Sequence, residues 1–549
     1  MAYTAHLAHA DELGRPIDPT PAQRLALRVL QAGCVLVVLA AATYRSFELD
    51  RFFIPKELTL HLAALLAGVL CLGAARRAQV SRVDLLLAGF LALSAASAAL
   101  AQNPWNGVRA LGVSASGIVV FWSARALGRA GLQRPLVWAI GGAVALGAAT
   151  SLAQAYGVRT DFFSINRSPG GTLGNRNFVA HLCAFGLPML FLAGLRAHRI
   201  FGTLLGAVGV AAVTCTLVLT RSRAAWLGVA AVLVVFLVGW LMVPPARRSM
   251  KSWSRLMVLL LCAGGGAVAA VTFPNTLRWK SDNPYAETAS GLVNAREGSG
   301  AGRLKQWKNS GEMLIGQPLL GVGPGNWSVR YPGYAPRSDP SMNGNEPGMT
   351  SNPWPSSDWV AFASERGVPA VALLMLAFVG LGVAALHRMR AARDADEGLA
   401  ALALAATLVG TVVVGAFDAV LMLALPSLLV WAALGVLTAD EPGQWDVRLP
   451  LPVRGLGMLL LIAVAGAFTV KSGAQLLAMA VYDGASTVGR LKRAARLDPG
   501  SYRIQLKLAR SAGDCTTRKA AADAAHELYP EASAPKGLRG ACGRRRRRG

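Results

Sequence analysis

Apolar runs of roughly 18–22 residues recur along most of the chain, separated by short polar connections. They fall at 25–43, 58–75, 83–101, 110–127, 136–155, 178–196, 200–219, 224–243, 255–273, 367–387, 399–416, 421–438 and 454–471. A helix of about 20 apolar residues crosses the hydrocarbon core of a bilayer. Helices also satisfy their own backbone hydrogen bonds there, which few other structures can do. The pattern therefore predicts an all-α polytopic membrane protein with about 12–13 transmembrane helices. The 399–438 stretch is divided at Phe417-Asp418, because a carboxylate in mid-bilayer is costly.

Two stretches break the pattern. Residues 274–366 are mostly polar and rich in Gly, Pro and Trp, too long for a mere connector. Residues 472–549 contain alanines and leucines at helical spacing followed by Asp-Pro-Gly, which reads as one or two helical hairpins of tetratricopeptide type. The resulting division is an N-terminal segment 1–24, membrane helices over 25–273, a large loop 274–366, further membrane helices over 367–471, and a helical tail 472–549.

Basic residues in the short connections set an orientation. Arg76, Arg77 and Arg82 follow the second run; Arg125, Arg129 and Arg134 follow the fourth. Arg196 and Arg199, then Arg247, Arg248, Lys251 and Arg255, then Arg388, Arg390 and Arg393 fall on the same side. The positive-inside rule makes that side cytoplasmic, together with the amino terminus. The 274–366 loop and, with an odd number of spans, the carboxyl tail are then expected to face outward.

Composition narrows the class further. The chain is 54% hydrophobic and 15% charged, with mean hydropathy +0.43; soluble domains carry about 25% charged residues. The net charge of +26 is distributed among the connections rather than along one face, apart from Arg544–Arg548. It suits anionic head groups better than nucleic acid, and no nucleic-acid partner is expected. Five cysteines lie in apolar runs and read as packing, whereas Cys515 and Cys542 in the tail can pair in an oxidising compartment. No Cys/His spacing suggests a metal. Residues 1–24 are polar with prolines, so the first run reads as an uncleaved anchor.

Three stretches predicted to reach the outer side carry chemistry. In SPGGTLGNRNFVAHL (168–182), Asn175, Arg176 and Asn177 offer donors at the mouth of a span. In LTRSRAAWLG (219–228), Arg221 and Arg223 occupy a very short loop where the charge rule calls for no arginine. Arginine beside lipid is expensive unless it meets an anion, either a substrate or lipid phosphate. The third is the long loop, with Arg303, Lys305 and Trp307 near its start and SNPWPSSDWVAFASERG (351–367) near its end.

At these residues the sequence resembles the O-antigen ligase family, which includes bacterial O-antigen polymerases and protein O-oligosaccharyltransferases. TLGNRNFVAHL matches its Gly-Asn-x-Asn motif, and LTRSRAAWLG its Ser-Arg-x-x-Trp turn. GRLKQWKNSGEMLIGQPLLGVGPGNW (302–327) matches its Arg…Trp…Pro-Leu-x-Gly-x-Gly run. SSDWVAFASERGVPA and Phe417-Asp418 match its later motifs; the likeness covers roughly 20–440.

The resemblance implies metal-free, cofactor-free, inverting glycosyl transfer from an undecaprenyl-pyrophosphate-linked glycan. The acceptor would be a hydroxyl of lipid A-core, of a glycan or of a protein. Arg223 and Arg303 match the family's phosphate-binding arginines, with Arg221, Asn175, Arg176, Asn177 and Trp307 as substrate-binding candidates. Paired guanidinium donors suit a departing diphosphate.

One position departs from the family. Where relatives carry a histidine two residues before the Asp-aromatic pair, this chain has Ser356, and no histidine occurs in 274–366. Serine is a poor general base, so Asp358 or Glu365 becomes the candidate proton acceptor; Glu365 can equally be a structural partner of Arg366. Three alternatives remain open. One is different acceptor chemistry, and another a non-catalytic relative that binds lipid-linked glycan. The third is a transporter using Asp418 as a coupling residue.

Overall fold

The computed structural model describes residues 18–291, 299–439 and 445–546; for Ser299 and residues 540–546 only the backbone is described. Residues 1–17 and the side chains of Cys542 and Arg544–Arg548 therefore lie outside the described residues. Eleven helical stretches in the described residues are long and apolar enough to cross a membrane. The chain is thus an all-α, multi-pass membrane protein.

One stretch, Pro104–Ala155, comprises two helices, Pro104–Leu127 and Gln133–Ala155, meeting at a π-helical turn where Gly131 takes φ 76°. Its 52 residues would extend about 78 Å as one rod, over twice a bilayer core. The turn at Gly131 separates two crossings. Another apolar helix, Ala424–Leu437, has 14 residues and spans only about 21 Å.

The central pillar is the helix Arg176–Leu195, in which every residue from Phe178 to Leu195 is buried. A helix apolar on all sides needs neighbours on all sides. Gln133–Ala155, Ile200–Thr220, Arg223–Leu241 and Ala395–Gly415 surround it.

The basic connections meet at one end of the bundle. Arg134 pairs with Asp396, and Arg196 lies 3.7 Å from the same carboxylate. Arg125 pairs with Asp84 at 2.6 Å, and Arg255 donates to the Leu195 carbonyl at 2.9 Å. A two-stranded antiparallel ribbon, Arg77–Val80 with Trp445–Arg448, closes this end, with Arg77 opposite Arg448 and Val80 opposite Trp445.

At the other end the long loop is partly helical. It contains Pro284–Ser290 and Ser299–Gly316, and its last residues begin the helix Asp358–Ala391. That helix is broken at Gly367 (φ 82°, ψ 165°), two residues before Pro369. Proline lacks the N–H a helix needs and disfavours helical geometry just before it.

The final long helix, Leu451–Asp483, runs past the apolar stretch ending near residue 471. Ser472, Gln475, Ala478, Met479 and Tyr482 form a buried stripe on that extension. Met479 and Tyr482 pack with Leu491, Ile504 and Leu508 of the short tail helices Val488–Leu497 and Tyr502–Ser511. Helices Cys515–Leu528 and Ser533–Arg546 complete the tail. It sits at the loop's end of the bundle: Asn103 Nδ2 donates to the Leu528 carbonyl at 3.4 Å, and Ser533 N to the Pro347 carbonyl at 3.0 Å. Cys515 is disulfide-bonded.

Candidate functional site

The site is organised around a gap between helices. Ala395–Gly415 ends, residues 416–423 run without helical structure, and Ala424–Leu437 begins. Irregular backbone at membrane depth needs protein partners for its N–H groups. Asp358 supplies them. Both of its carboxylate oxygens accept the Val420 N–H at 3.0 Å, and Oδ2 accepts the Leu421 N–H at 2.8 Å. The neighbouring Ser357 Oγ donates to the Gly415 carbonyl at 3.3 Å. Asp358 is 0% exposed, so this carboxylate builds the gap rather than facing it.

Glu365 does comparable work on the loop. Its Oε2 accepts the Gly325 N–H at 2.8 Å and its Oε1 the Trp327 N–H at 3.0 Å. The Glu365 carbonyl accepts Gly323 N at 2.8 Å, and the Ser364 carbonyl accepts Val322 N at 3.0 Å. The Pro-Leu-Leu-Gly-Val-Gly-Pro-Gly run is thereby wound around the helix break. Close approach explains two of its glycines. A Cβ on Gly321 (φ 63°) would lie 2.4 Å from the Glu365 carbonyl carbon, and one on Gly367 would lie 2.1 Å from the Leu319 oxygen. Arg366, also buried, stacks on Phe90 and Phe362 and makes no direct contribution to an open site.

Helix Ser299–Gly316 lies over the gap. Gln306, Ser310 and Met313 form its buried face, at helical spacing. Gln306 accepts the Ser356 N–H at 2.7 Å and donates to Ser341 Oγ at 3.2 Å; Ser310 accepts the Trp327 indole N–H at 2.9 Å. Ser356 is thus held by its backbone. Arg303 and Trp307, one turn apart, are neighbours on the helix surface. The Trp307 ring meets Phe417 at 6.4 Å between centroids.

Arg303 sits between two opposed charges. Burial is the main influence and draws its pKa below the usual arginine value; Asp418 opposes that shift, and Arg223 adds to it. Arg303 is thus within electrostatic reach of both Asp418 and Arg223. Among the described residues, none is hydrogen-bonded to the Arg303 guanidinium. Arg223, the first residue of helix Arg223–Leu241, donates to the Gly291 carbonyl at 2.8 Å.

Arg221 and Arg176 form an adjoining layer. Arg221 takes a left-handed conformation (φ 53°) and binds Thr288 Oγ1 at 2.9 Å and Glu287 at 3.1 Å. The guanidinium carbons of Arg176 and Arg221 lie 4.9 and 4.8 Å from the Trp279 ring centroid. Asn175 caps the pillar helix by accepting the Asn177 N–H at 3.0 Å, so its side chain oxygen is used locally.

The fold therefore brings Arg223, Arg303 and Trp307 to one place, with Arg176 and Arg221 beside them, while Asp358 and Glu365 are enclosed in backbone contacts. Two further residues emerge, Asp418, which the sequence offered only as a motif match and a transporter's coupling residue, and His181, which it did not single out. Asp418 projects from the gap with a side chain 15% exposed. Behind it, His181 of the pillar helix is 1% exposed, 3.9 Å from Asp418, and neither ring nitrogen has a hydrogen-bond partner. A polar side chain inside an apolar span is the signal that marks His181 in the sequence.

Residues 208–375 match the family model for O-Antigen ligase. The matched stretch carries Arg221, Arg223, Arg303 and the Asp358–Gly367 segment. No curated protein matches the chain.

Proposed function

We propose that this membrane protein, through its O-antigen ligase domain, transfers a glycan from undecaprenyl pyrophosphate to an acceptor hydroxyl during surface-polysaccharide assembly. The reaction takes place at the periplasmic face of the inner membrane. The acceptor is lipid A-core, another glycan or a protein. The observation that carries this reading is that Arg303 lies within electrostatic reach of Arg223, a residue of another helix far away in sequence, beside a gap where Trp307 meets Phe417.

Displacement of the sugar from its carrier leaves a diphosphate with growing negative charge. Two guanidiniums in a partly dehydrated site offset that charge far better than water does. Arg221 and Arg176, braced by Trp279, extend the positive surface toward the second phosphate or the outer head groups. Inversion at the anomeric carbon follows if the hydroxyl enters opposite the diphosphate. Asp358 and Glu365 serve as architecture in this reading, and Ser356 as a backbone anchor.

The test is deletion of the gene, followed by complementation with Arg223→Ala or Arg303→Ala and analysis of surface glycan. Loss of assembled glycan with normal amounts of protein in the membrane is expected. Wild-type glycan in both strains would falsify the proposal.

A further inference from the structure

Proton removal from the acceptor has no histidine to serve it in the long loop, and the two buried carboxylates are occupied by backbone N–H groups. Among the described residues, Asp418 is a carboxylate of the gap that feels the Arg303 charge and remains partly exposed, its side chain 15% accessible. Its own backbone neighbour, Ala419 N–H, donates to Oδ1 at 2.8 Å, which leaves Oδ2 facing His181.

His181 is anomalous. An imidazole buried in the bundle normally hydrogen-bonds through at least one nitrogen, since an unmatched polar group there costs roughly 1–3 kcal/mol. Here both nitrogens lack partners, and Asp418 Oδ2 lies 3.9 Å from Nε2. That separation is too long for a hydrogen bond, but catalytic contacts are often loose before substrate arrives. His181 lies five residues into its helix, about 7 Å along the axis from Arg176, and one turn beyond Phe178. Phe178 packs against Trp354 of the long loop at 6.4 Å between ring centroids, so the loop touches the turn that precedes His181.

We propose that Asp418 is the proton acceptor for the incoming hydroxyl and that His181 is its positioning residue, an imidazole supplied from within the membrane bundle. The neutral ring donates Nε2–H to Asp418 Oδ2 when substrate closes the site. The hydroxyl oxygen then forms the new bond to the anomeric carbon as the carbon–oxygen bond to diphosphate breaks. The hydroxyl proton passes to Asp418, and the bond electrons leave with the diphosphate, held by Arg223 and Arg303. Water later removes the proton from Asp418. His181 never touches substrate. Three groups set the charge around Asp418, namely His181 from the pillar helix, Arg303, and Asp358 from the helix start, and Arg223 acts on Arg303.

This inference rests on the proposed transferase activity. It is tested with full-length protein in lipid nanodiscs, using the lipid-linked glycan pool extracted from cells lacking the gene. Release of undecaprenyl pyrophosphate and donor binding are measured across pH for wild type, Asp418→Asn, His181→Phe and His181→Gln.

Asp418→Asn is expected to slow turnover by about 10²–10⁴-fold, the usual contribution of a general base. His181→Phe should slow it less and move the acid limb of the rate profile to higher pH, because an unassisted carboxylate holds its proton more readily. His181→Gln, which restores an N–H donor, should recover part of the rate, with donor binding unchanged throughout. Wild-type rate and pH profile in His181→Phe would overturn the proposal, as would a glutamine variant no faster than phenylalanine. Donor binding lost in step with turnover in both His181 variants would also overturn it. Retention of transfer in Arg223→Ala and Arg303→Ala would instead sink the transferase reading itself.

Discussion

Asp358 Oδ2 accepts the backbone N–H of Leu421 at 2.8 Å, joining the start of one membrane helix to the gap before another. A residue whose position in the sequence suggests chemistry is, by its contacts, a brace. Removing it leaves the N–H groups of Val420 and Leu421 buried without acceptors. Asp358→Ala should therefore lower stability by on the order of 3 kcal/mol, read as an earlier thermal unfolding midpoint in detergent. Asp358→Asn, which keeps one acceptor oxygen, should lose less.

Glu365 makes a related prediction with a different control. A glutamine there would turn an NH₂ group toward either Gly325 N–H or Trp327 N–H, placing donor against donor. Glu365→Gln should cost roughly 1–3 kcal/mol, and Gly321→Ala should damage the same loop through the 2.4 Å approach to Glu365. Both variants should show faster protease cleavage within residues 318–327. Unchanged cleavage in both would mean that the Gly-rich run does not depend on Glu365.

For the arginines, the geometry distinguishes charge from shape. Arg303→Lys retains a cation but loses the planar fork that matches phosphate oxygens. Turnover should fall by about 10²–10³-fold in Arg303→Ala, the scale of one lost transition-state donor. Lysine should give an intermediate rate. Equal rates for lysine and arginine would show that field strength alone matters at this position.

Ser356 stands where the resembled family has histidine, and its backbone N–H donates to Gln306. Ser356→Ala should leave transfer within about twofold, in line with substitutions away from specific contacts. Gln306→Ala should cost more, because Gln306 also holds Ser341. Surface-glycan yield in complemented cells measures both.

The tail offers a pH test independent of catalysis. Burial pushes the Asp498 carboxyl above its usual range, with Lys471 opposing the shift. A carboxyl whose folded pKa is raised favours folding fully below the unfolded value, near 4, and loses that contribution as pH rises through the folded value. Asp498→Asn should accordingly raise the unfolding midpoint at pH 7 and show little difference from wild type at pH 4. The opposite ordering would mean that the Lys471 attraction outweighs desolvation.

Much of the architecture was legible in the chain alone. Hydrocarbon of fixed thickness demands apolar runs of fixed length, so the positions of the membrane helices follow from local composition. The division at Phe417-Asp418 follows from the cost of a buried charge. The grouping of Arg134, Arg196 and Arg255 at one end follows from the same periodicity, since each follows or precedes an apolar run. Motif spelling also pointed to Arg223 and Arg303. Their meeting, however, depends on how the helix Ser299–Gly316 folds back across the gap. Which carboxylate faces solvent was decided only by tertiary structure, because Asp358, Glu365 and Asp418 differ in the backbone groups that distant segments bring to them. His181 shows the same limit. Its sequence neighbours are apolar, and only the packing of the pillar helix against residues 416–423 places its ring behind Asp418.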